Sequence, residues 1–303
     1  MNVVVLAGGT GGAALAAGIQ TVAPHVGLTV IANTADDDEF WGLLVSPDVD
    51  AVIYRLAGVF NEAAGYGLKD DTFEVLAALG RLGESTQTWF RIGDRDFATH
   101  LVRTEMVHRG CSLTETSLEL CRRSGVTARV LPMTNNPVRT RFTTDSGELS
   151  FQEYYVREKL KPRLRAVNFA GIDSATPAPE AVAALHAADL VIIGPSNPLI
   201  SIGPILALMR DHLRRDRTVA VTPIVAGAAL KGPTVEMMRA LGQEPSPPEV
   251  ARLYRDIAGA FVVDERDREL AGQIESMGYR VIIRDTVMRD GGVALARAVL
   301  ELR

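Results

Sequence analysis

The sequence is poor in cysteine, in aromatic residues and in positive charge. Its 303 residues include two cysteines and 6% aromatic residues, and the formal net charge at pH 7 is -5. This acidic balance argues against nucleic acid as a partner, because binding to a phosphate backbone needs a concentrated positive surface. Cys111 and Cys121 fit no C-x-x-C spacing, so we interpret both as small packing residues.

Long apolar runs are also missing. No run reaches the roughly eighteen residues that a membrane-spanning helix needs, and the short apolar run at the start has no basic flank typical of a signal peptide. We therefore expect a cytoplasmic protein with no membrane partner. With 47% hydrophobic residues the chain can bury a full core, as one large domain or one large domain plus a small one.

The first twelve residues contain the strongest single signal. A short apolar run, Val3 to Leu6, leads directly into Gly8-Gly9-Thr10-Gly11-Gly12 and then into an alanine-rich helical pattern. Glycines allow tight turns and close backbone approach, and the N–H groups at a helix N-terminus attract anions. The spacing matches neither the dinucleotide fingerprint nor the P-loop, so a phosphate site and a simple strand-to-helix turn both remain open.

Buried-type strands recur along the rest of the chain. Because their hydrophobicity is continuous rather than alternating, and helical patterns separate most of them, we predict an α/β fold. Its core would be a mostly parallel, Rossmann-like sheet in three layers. The predicted strands are Val3–Leu6, Leu28–Ile31, Ala128–Leu131, Leu190–Ile193, Thr218–Val221, Ala260–Val263 and Arg280–Ile283.

Between Ala51 and Ser124 the pattern changes to helices without strands. We predict a small helical domain over residues 51–126, inserted into a nucleotide-binding domain formed by residues 1–50 and 127–303. Thr72 is a candidate helix cap, and Ser112 with Glu115 matches a capping box. Further on, Asp145-Ser146-Gly147 lies within rough alternation and predicts a hairpin turn.

An acidic run follows the second predicted strand. Asn33-Thr34-Ala35 is followed by Asp36, Asp37, Asp38 and Glu39. Ionising four adjacent carboxylates is costly without a cation, and hard oxygen ligands next to a phosphate are what Mg²⁺ requires. The run by itself favours a solvated acidic loop over a metal site. Its position at a strand end, where ligands bind in parallel sheets, favours a Mg²⁺ site.

Several other strand ends are polar. Gly194-Pro195-Ser196-Asn197 follows one strand, Thr222 follows the next, and Asp264-Glu265-Arg266-Asp267 follows a third. Each cluster alone fits a rigid turn. Because the carboxyl ends of parallel strands meet at one edge of the sheet, their combination favours a binding site there.

A basic and acidic cluster, Arg91 to Asp96, precedes a helix in the helical region. Asp96 as a helix N-cap is the structural alternative to a binding role. His100 and His108 follow on that helix without a third ligand at zinc spacing, so we expect core or surface roles for them.

Together these loops resemble the 2-phospho-L-lactate transferase family of coenzyme F420 biosynthesis, which includes members that use phosphoenolpyruvate. The resemblance extends over nearly the whole chain. Its motifs are Gly8-Gly9-Thr10-Gly11, Asn33-Thr34-Ala35-Asp36-Asp37, Ser46-Pro47-Asp48-Val49-Asp50, Gly93-Asp94-Arg95-Asp96, Leu131-Pro132-Met133-Thr134, Gly194-Pro195-Ser196-Asn197-Pro198 with Ser201-Ile202-Gly203-Pro204-Ile205, and Asp264-Glu265-Arg266-Asp267.

The resemblance implies transfer of a phosphorylated three-carbon acid from a guanosine diphospho-donor to a hydroxyl of the deazaflavin Fo, with GMP as the leaving group. It also implies a homodimer. By position, Asp36 resembles the catalytic, Mg²⁺-binding carboxylate, with Asp37 beside it as a second metal ligand, and Asp50 and Arg91 resemble the residues that contact Fo. The nucleotide and phosphates of the donor would face Gly8, Gly9, Thr10, Gly11 and Gly12 together with Ser196 and Asn197.

One departure from the family concerns the donor. Many relatives carry Lys or Arg shortly after the glycine loop, whereas this chain has Ala13 and Ala14. Backbone N–H groups, Mg²⁺ and arginines elsewhere would then hold the phosphate charge. A competing hypothesis is a nucleotide-sugar-binding regulator of the gluconeogenesis-factor type, which opens with a similar glycine-rich segment. An NAD-dependent oxidoreductase fits less well, because the glycine spacing is wrong.

Overall fold

A computed structural model describes residues 1–83, 86–230 and 232–302. In chain order the strands are β1 (Asn2–Ala7), β2 (Gly27–Ala32), β3 (Asp38–Phe40), β4 (Leu43–Val45), β5 (Arg129–Pro132), β6 (Arg139–Thr144), β7 (Gly147–Ser150), β8 (Leu164–Ala170), β9 (Leu190–Ile193), β10 (Thr218–Val221), β11 (Ile224–Val225), β12 (Ala228–Ala229), β13 (Ala260–Asp264) and β14 (Arg280–Arg284).

The α-helices surround this framework. They are α1 (Gly9–Val22), α2 (Pro47–Leu56), α3 (Glu74–Arg81), α4 (Asp94–His108), α5 (Leu113–Arg123), α6 (Pro179–Ala187), α7 (Ile202–Met209), α8 (Thr234–Ala240), α9 (Pro247–Tyr254), α10 (Ala271–Glu275) and α11 (Val293–Leu300). A π-helical turn spans Glu153–Arg157. Among the described residues, no helix combines the length and apolar character that crossing a membrane requires.

The central sheet is parallel and has the order β14-β13-β10-β9-β1-β2-β5. Its strands coincide with the predicted runs, which confirms the α/β fold class. From β1 the chain moves outward through β2 to β5 and then returns to β9 on the other side of β1. The point where strand order reverses therefore lies between β1 and β9, where open α/β sheets bind ligands.

Helices cover both faces of the sheet, which confirms the three-layer arrangement. The alternation of side chains along β1 illustrates it: Val3, Val5 and Ala7 join one apolar cluster, whereas Val4 and Leu6 join the other. Helices α1, α2 and α11 contribute to the first cluster, and α6, α7 and α9 contribute to the second. Burial on both faces explains why the strand sequences are apolar throughout.

The predicted helical region contains the end of α2 and helices α3, α4 and α5. Helix α2 begins at Pro47 and packs against α1 through the first apolar cluster, so it crosses the proposed boundary at residues 50/51. The domain division itself stays a prediction. Strands β3 and β4 form a hairpin before α2 that the sequence analysis does not anticipate.

Two capping predictions fail and one is confirmed. The N–H groups of Glu74 and Val75 at the start of α3 donate to Asp94, rather than to Thr72, at 3.0 and 2.9 Å. Asp94 can do this because it lies in the first turn of the adjacent helix α4. Asp96 does not cap α4, since Gly93 is at that position and the Asp96 side chain is buried. The capping box at Ser112 is present.

The predicted hairpin turn is confirmed by antiparallel pairing of β6 with β7 across Asp145 and Ser146. Strand β8 pairs with the other edge of β6 and completes a three-stranded sheet. The chain after β7 forms the π-helical turn at Glu153–Arg157, which brings Tyr155 beside the carboxyl edge of the central sheet.

Candidate functional site

A cleft of about 680 Å³ opens at the sheet edge where β1 and β9 end. We call it the switch-point cleft. The predicted site residues that line it are Gly8, Gly9, Thr10, Gly11, Asp36, Asp50, Arg91, Ser196 and Asn197. Gly12 is buried beneath the loop, and Asp37 lines a neighbouring cavity of about 230 Å³. The topology thus brings together residues that are far apart in sequence.

The glycine loop forms the N-terminus of α1. Gly9 has a φ of +69°, a conformation that glycine adopts without strain, and no side chain caps the helix. The N–H of Gly8 donates to Ser196 Oγ at 3.3 Å, which joins this loop to the loop after β9. A β-carbon at Gly11 would collide with the carbonyl oxygen of Pro195. These contacts hold the N-terminus of α1 against the cleft, where it favours an anion.

Asn197 supports the second loop rather than presenting its oxygen to the cleft. Its Oδ1 accepts from the N–H groups of Leu199 and Ile200 at 2.9 and 3.4 Å. Its amide nitrogen contacts Met237 Sδ at 3.6 Å. The roles of Ser196 and Asn197 toward a donor stay predictions, and the structure gives both a part in loop conformation.

Asp36 and Asp48 form a buried carboxylate pair in the cleft. Asn33 Nδ2 donates to one oxygen of each at 3.0 Å, and Thr140 donates to Asp36 at 2.7 Å. Burial raises the pKa of Asp36 well above its usual value, and the charge of Asp48 raises it further. Burial also raises the pKa of Asp48 to about 6. Two buried oxygen-donor groups whose ionisation is disfavoured fit a divalent cation, which would offset that cost.

Asp37 does not line the switch-point cleft and lines the neighbouring cavity instead. Its Oδ1 accepts from the Ser46 hydroxyl at 2.7 Å, and its cavity is shared with Arg103 and Arg139. Burial raises the pKa of Asp37 to about 7, against the lowering effect of the Ser46 hydrogen bond and of both arginines. Its role as a second metal ligand stays a prediction, whereas Asp48 lines the same cleft as Asp36.

Asp50 enters the cleft from α2 and belongs to a buried side-chain network with α4. Arg103 donates to Asp50 Oδ1 and also lies 3.1 Å from His100 Nδ1. His100 Nε2 lies 3.4 Å from Asp96, which accepts from the Tyr54 hydroxyl at 2.6 Å. We call these five residues the α2–α4 network. His100 is buried, so of the core and surface roles that the sequence leaves open for it, the structure shows the core role.

Three members of the network, Asp50, Asp96 and His100, lie close enough together to hold a metal ion. The guanidinium of Arg103 donates to both Asp50 and His100, so it already supplies positive charge to this group. Arginine remains protonated in proteins and always donates. We therefore interpret the network as an ion-pair cluster rather than a metal centre.

Part of the cleft lining, which we call the aromatic wall, is aromatic and basic. Trp89, Phe90 and Arg91 line it, as do the exposed rings of Tyr66 and Tyr155. The guanidinium of Arg91 lies 4.4 Å from the centre of the Phe73 ring, and Phe90 stacks on Phe40 with ring centres 4.0 Å apart. A planar ring system would find stacking partners here. These aromatic residues could not be singled out from the sequence, because they come from separate segments that only the fold brings together.

The acidic cluster at the end of β13 does not line the cleft. Asp264 accepts from the N–H and hydroxyl of Thr286 at 2.9 and 3.0 Å and from Arg266. Thr222, at the end of β10, donates its hydroxyl to the carbonyl of Ile224. Both have local structural partners, and their strands lie beyond the point where strand order reverses.

Comparisons with known proteins agree with this arrangement. Residues 3–298 match the model of the family described as 2-phospho-L-lactate transferase CofD. The 2-phospho-L-lactate transferase of Methanopyrus kandleri is 41% identical over 310 residues, covering 100% of this chain and 97% of the relative. The enzyme of that name from Methanosarcina mazei is 36% identical over 287 residues, covering 94% of each.

A second named activity occurs among the relatives. The phosphoenolpyruvate transferase of Streptomyces griseus is 38% identical over 313 residues, covering 100% of this chain and 98% of the relative. A solved structure of a UPF0052 family protein from Bacillus halodurans has a TM-score of 0.65 at 16% identity, covering 99% of this chain and 98% of its own, and shows a shared fold. The family match and these identities show that the chain belongs to the 2-phospho-L-lactate transferase CofD family.

Proposed function

We propose that this protein transfers a phosphorylated three-carbon acid from a guanosine diphospho-donor to a hydroxyl of the deazaflavin Fo, with release of GMP. The supporting observation is a single cleft that joins a helix N-terminus, a buried carboxylate pair and an aromatic wall. The names of the relatives support two candidates for the transferred acid, 2-phospho-L-lactate and phosphoenolpyruvate.

The donor would bind at the glycine end of the cleft. Backbone N–H groups at the start of α1 favour phosphate oxygens, and they require no lysine or arginine after the loop. This suits Ala13 and Ala14, which are buried against the sheet. Guanine recognition is part of the proposal through the family resemblance.

Mg²⁺ is the proposed cofactor, held by the catalytic carboxylate Asp36 with Asp48 beside it. The fit rests on the donor set, since both groups are buried carboxylates with raised pKa values that share one amide donor. When bound, the cation neutralises negative charge on the donor diphosphate. Asp36 and Asp48 therefore face the phosphate groups, and Asn33 holds the two carboxylates in fixed positions.

The acceptor would lie against the aromatic wall, with its ring system near Trp89 and its polar groups toward Arg91 and Asp50. In the transfer, the hydroxyl oxygen of Fo forms a bond to the phosphorus that carries the acid. The bond from this phosphorus to the bridging oxygen breaks, that oxygen leaves with GMP, and the hydroxyl proton is released to water. Alignment of acceptor and leaving group accounts for a large part of such catalysis.

We also propose a homodimer. The family resemblance implies this assembly, and Leu82 and Leu101 are the most exposed large hydrophobic side chains among the described residues, at 80% and 60%. Light scattering of the purified chain tests this assembly independently of activity.

A coupled assay tests the proposed function. The protein is incubated with Fo, GTP, Mg²⁺ and a partner guanylyltransferase, and each phospho-acid, including 3-phosphoglycerate, is supplied separately. We expect a product whose mass gain matches 2-phospho-L-lactate or phosphoenolpyruvate. Absence of product from every acid, together with unchanged Fo fluorescence, would contradict the proposal. Binding of UDP-N-acetylglucosamine without turnover would then favour a nucleotide-sugar-binding regulator.

A further inference from the structure

Arg103 is one of the largest side chains that the protein buries almost completely, with 1% of its surface exposed. Burying a guanidinium is costly unless its donors are satisfied. Its partners lie on three elements: Asp50 on α2, the carbonyl oxygen of Leu44 on β4 at 3.3 Å, and His100 on α4. The side chain is thus fixed from three directions immediately behind the switch-point cleft.

Asp50 has a different environment at each oxygen. Oδ1 accepts from Arg103, whereas Oδ2 is buried without a hydrogen-bond donor among the described residues. Asp50 is 3% exposed and lines the cleft. A buried carboxylate oxygen with no donor costs free energy, and a ligand hydroxyl or N–H that donates to it removes that cost. The free oxygen is therefore an acceptor ready for a ligand group.

The other residues of the network keep His100 from donating a hydrogen bond to Asp50 Oδ2. Because Arg103 donates to His100 Nδ1, that nitrogen has no proton, and the proton of the neutral ring is on Nε2, facing Asp96. Burial lowers the pKa of His100 to about 4, so the ring stays neutral. His100 Nδ1 lies 3.6 Å from Asp50 Oδ2 but carries no proton to donate. The histidine therefore leaves Oδ2 available.

We propose that Arg103 is a positioning residue for the acceptor substrate, which acts through Asp50 by holding one carboxylate oxygen and leaving the other to accept from the acceptor. The inference rests on the proposed function, in which Asp50 contacts Fo. A role in stability alone explains the arrangement less well, because a buried ion pair seldom stabilises more than apolar residues of similar volume. Such a role also gives no reason for the unpartnered oxygen.

A double-mutant cycle tests this inference, with the single variants Asp50→Asn and Arg103→Met and the combination of both. Binding of Fo is measured by fluorescence titration without donor, and KM for Fo and kcat are measured in the coupled assay. We expect each single variant to weaken Fo binding about tenfold, the effect of losing one charge-assisted hydrogen bond. The double variant should bind Fo within about twofold of Asp50→Asn, since Arg103 then has no carboxylate to position.

A Leu295→Ala variant is the control for lost stability. Leu295 on α11 is 1% exposed, belongs to the first apolar cluster and does not line the cleft, so its truncation destabilises the fold without touching the network. We expect its Fo affinity to equal that of the wild type. Weakened binding in this variant would mean that stability loss explains the Arg103 effect, and would overturn the inference.

Arg103→Lys covers the case in which Arg103→Met does not fold. Lysine keeps the charge without the planar fork, so it should restore folding and part of the Fo affinity, and its remaining effect should vanish in the Asp50→Asn background. If the Arg103 substitution weakens binding equally in both backgrounds, Arg103 does not act through Asp50. If Asp50→Asn itself leaves Fo binding unchanged, the proposed contact between Asp50 and Fo is wrong instead.

Discussion

Asp36 and Asp48 are bridged by one nitrogen atom, Asn33 Nδ2, which lies 3.0 Å from an oxygen of each carboxylate. Asn33 is fully buried, and the two acids are 4% and 8% exposed. One amide hydrogen bond to each acid does not compensate for burial, because the pKa values of both stay raised. The pair is therefore arranged to gain from a cation.

Replacing Asp36 by Asn should reduce transfer at least about 100-fold, the order found when one group that stabilises a transition state is removed. The free energy of unfolding should not fall, because the substitution removes one of two buried carboxylates that repel each other. Product mass gives the rate, and the urea midpoint gives the stability. Unchanged turnover at saturating Mg²⁺ would remove Asp36 from the mechanism.

Stability of the Mg²⁺-free protein should decrease as pH rises from about 4 to about 7. Burial raises the pKa of Asp37 and Asp96 to about 7 and of Asp48 to about 6, so the folded state keeps protons that the unfolded state has lost. The raised pKa of Asp36 acts in the same direction as these three, whereas the lowered pKa of His100 acts in the opposite direction.

Urea midpoints measured with a chelator at about pH 5 and about pH 7.5 check this sign. We expect the lower urea midpoint at about pH 7.5. Adding Mg²⁺ should raise the midpoint more at this pH than at about pH 5, because the carboxylates are then ionised. Asp48→Asn should flatten the pH dependence in part. A midpoint that rises steadily over this range would show that the buried carboxyls do not control stability.

The glycine loop and its position at the switch point could be predicted, because both follow from local rules. Continuous β-branched runs indicate buried parallel strands, and strand ends in such sheets meet at one edge. These rules do not tell which strand ends lie at the cleft, and the cluster at Asp264 is an example. Strand β13 is three positions from β1, about 14 Å at the usual strand spacing, so polar residues at its end lie beyond the cleft.

The hairpin of β3 and β4 could not be predicted from local signals. Its turn residues, Trp41 and Gly42, both have positive φ, as a two-residue hairpin turn of this type requires. Tryptophan is an unusual choice there, and its ring packs against Phe97 with centres 5.7 Å apart. Packing of Trp41 against Phe97 therefore outweighs the low preference of tryptophan for this turn position. Asp48 was missed for a similar reason, since only the fold brings it to Asp36.

Arg91→Ala should raise KM for Fo about tenfold, as expected for loss of a charged hydrogen-bond donor, and leave KM for the donor unchanged. Arg91 lines the aromatic wall and is exposed, so the fold should tolerate the change. Arg91→Lys should have an intermediate effect, because lysine keeps the charge but not the planar contact with Phe73. Equal changes in both KM values would place Arg91 outside the acceptor site.

Gly11→Ala should weaken donor binding, because the added β-carbon would collide with the backbone oxygen of Pro195. Neither group is the end of a flexible side chain, so the loops after β1 and β9 must separate, and the N–H groups at the start of α1 lose their alignment. We expect donor KM to rise more than about tenfold while Fo binding, measured by fluorescence without donor, changes little.

Gly80→Ala is the matched control, since Gly80 lies inside α3 with nothing within 4 Å of the added carbon. That variant should be no less stable than the wild type, because alanine has a higher helix propensity than glycine, and should keep full activity. If Gly11→Ala retains normal donor KM, the phosphates do not bind at the start of α1, and the donor must lie elsewhere in the cleft.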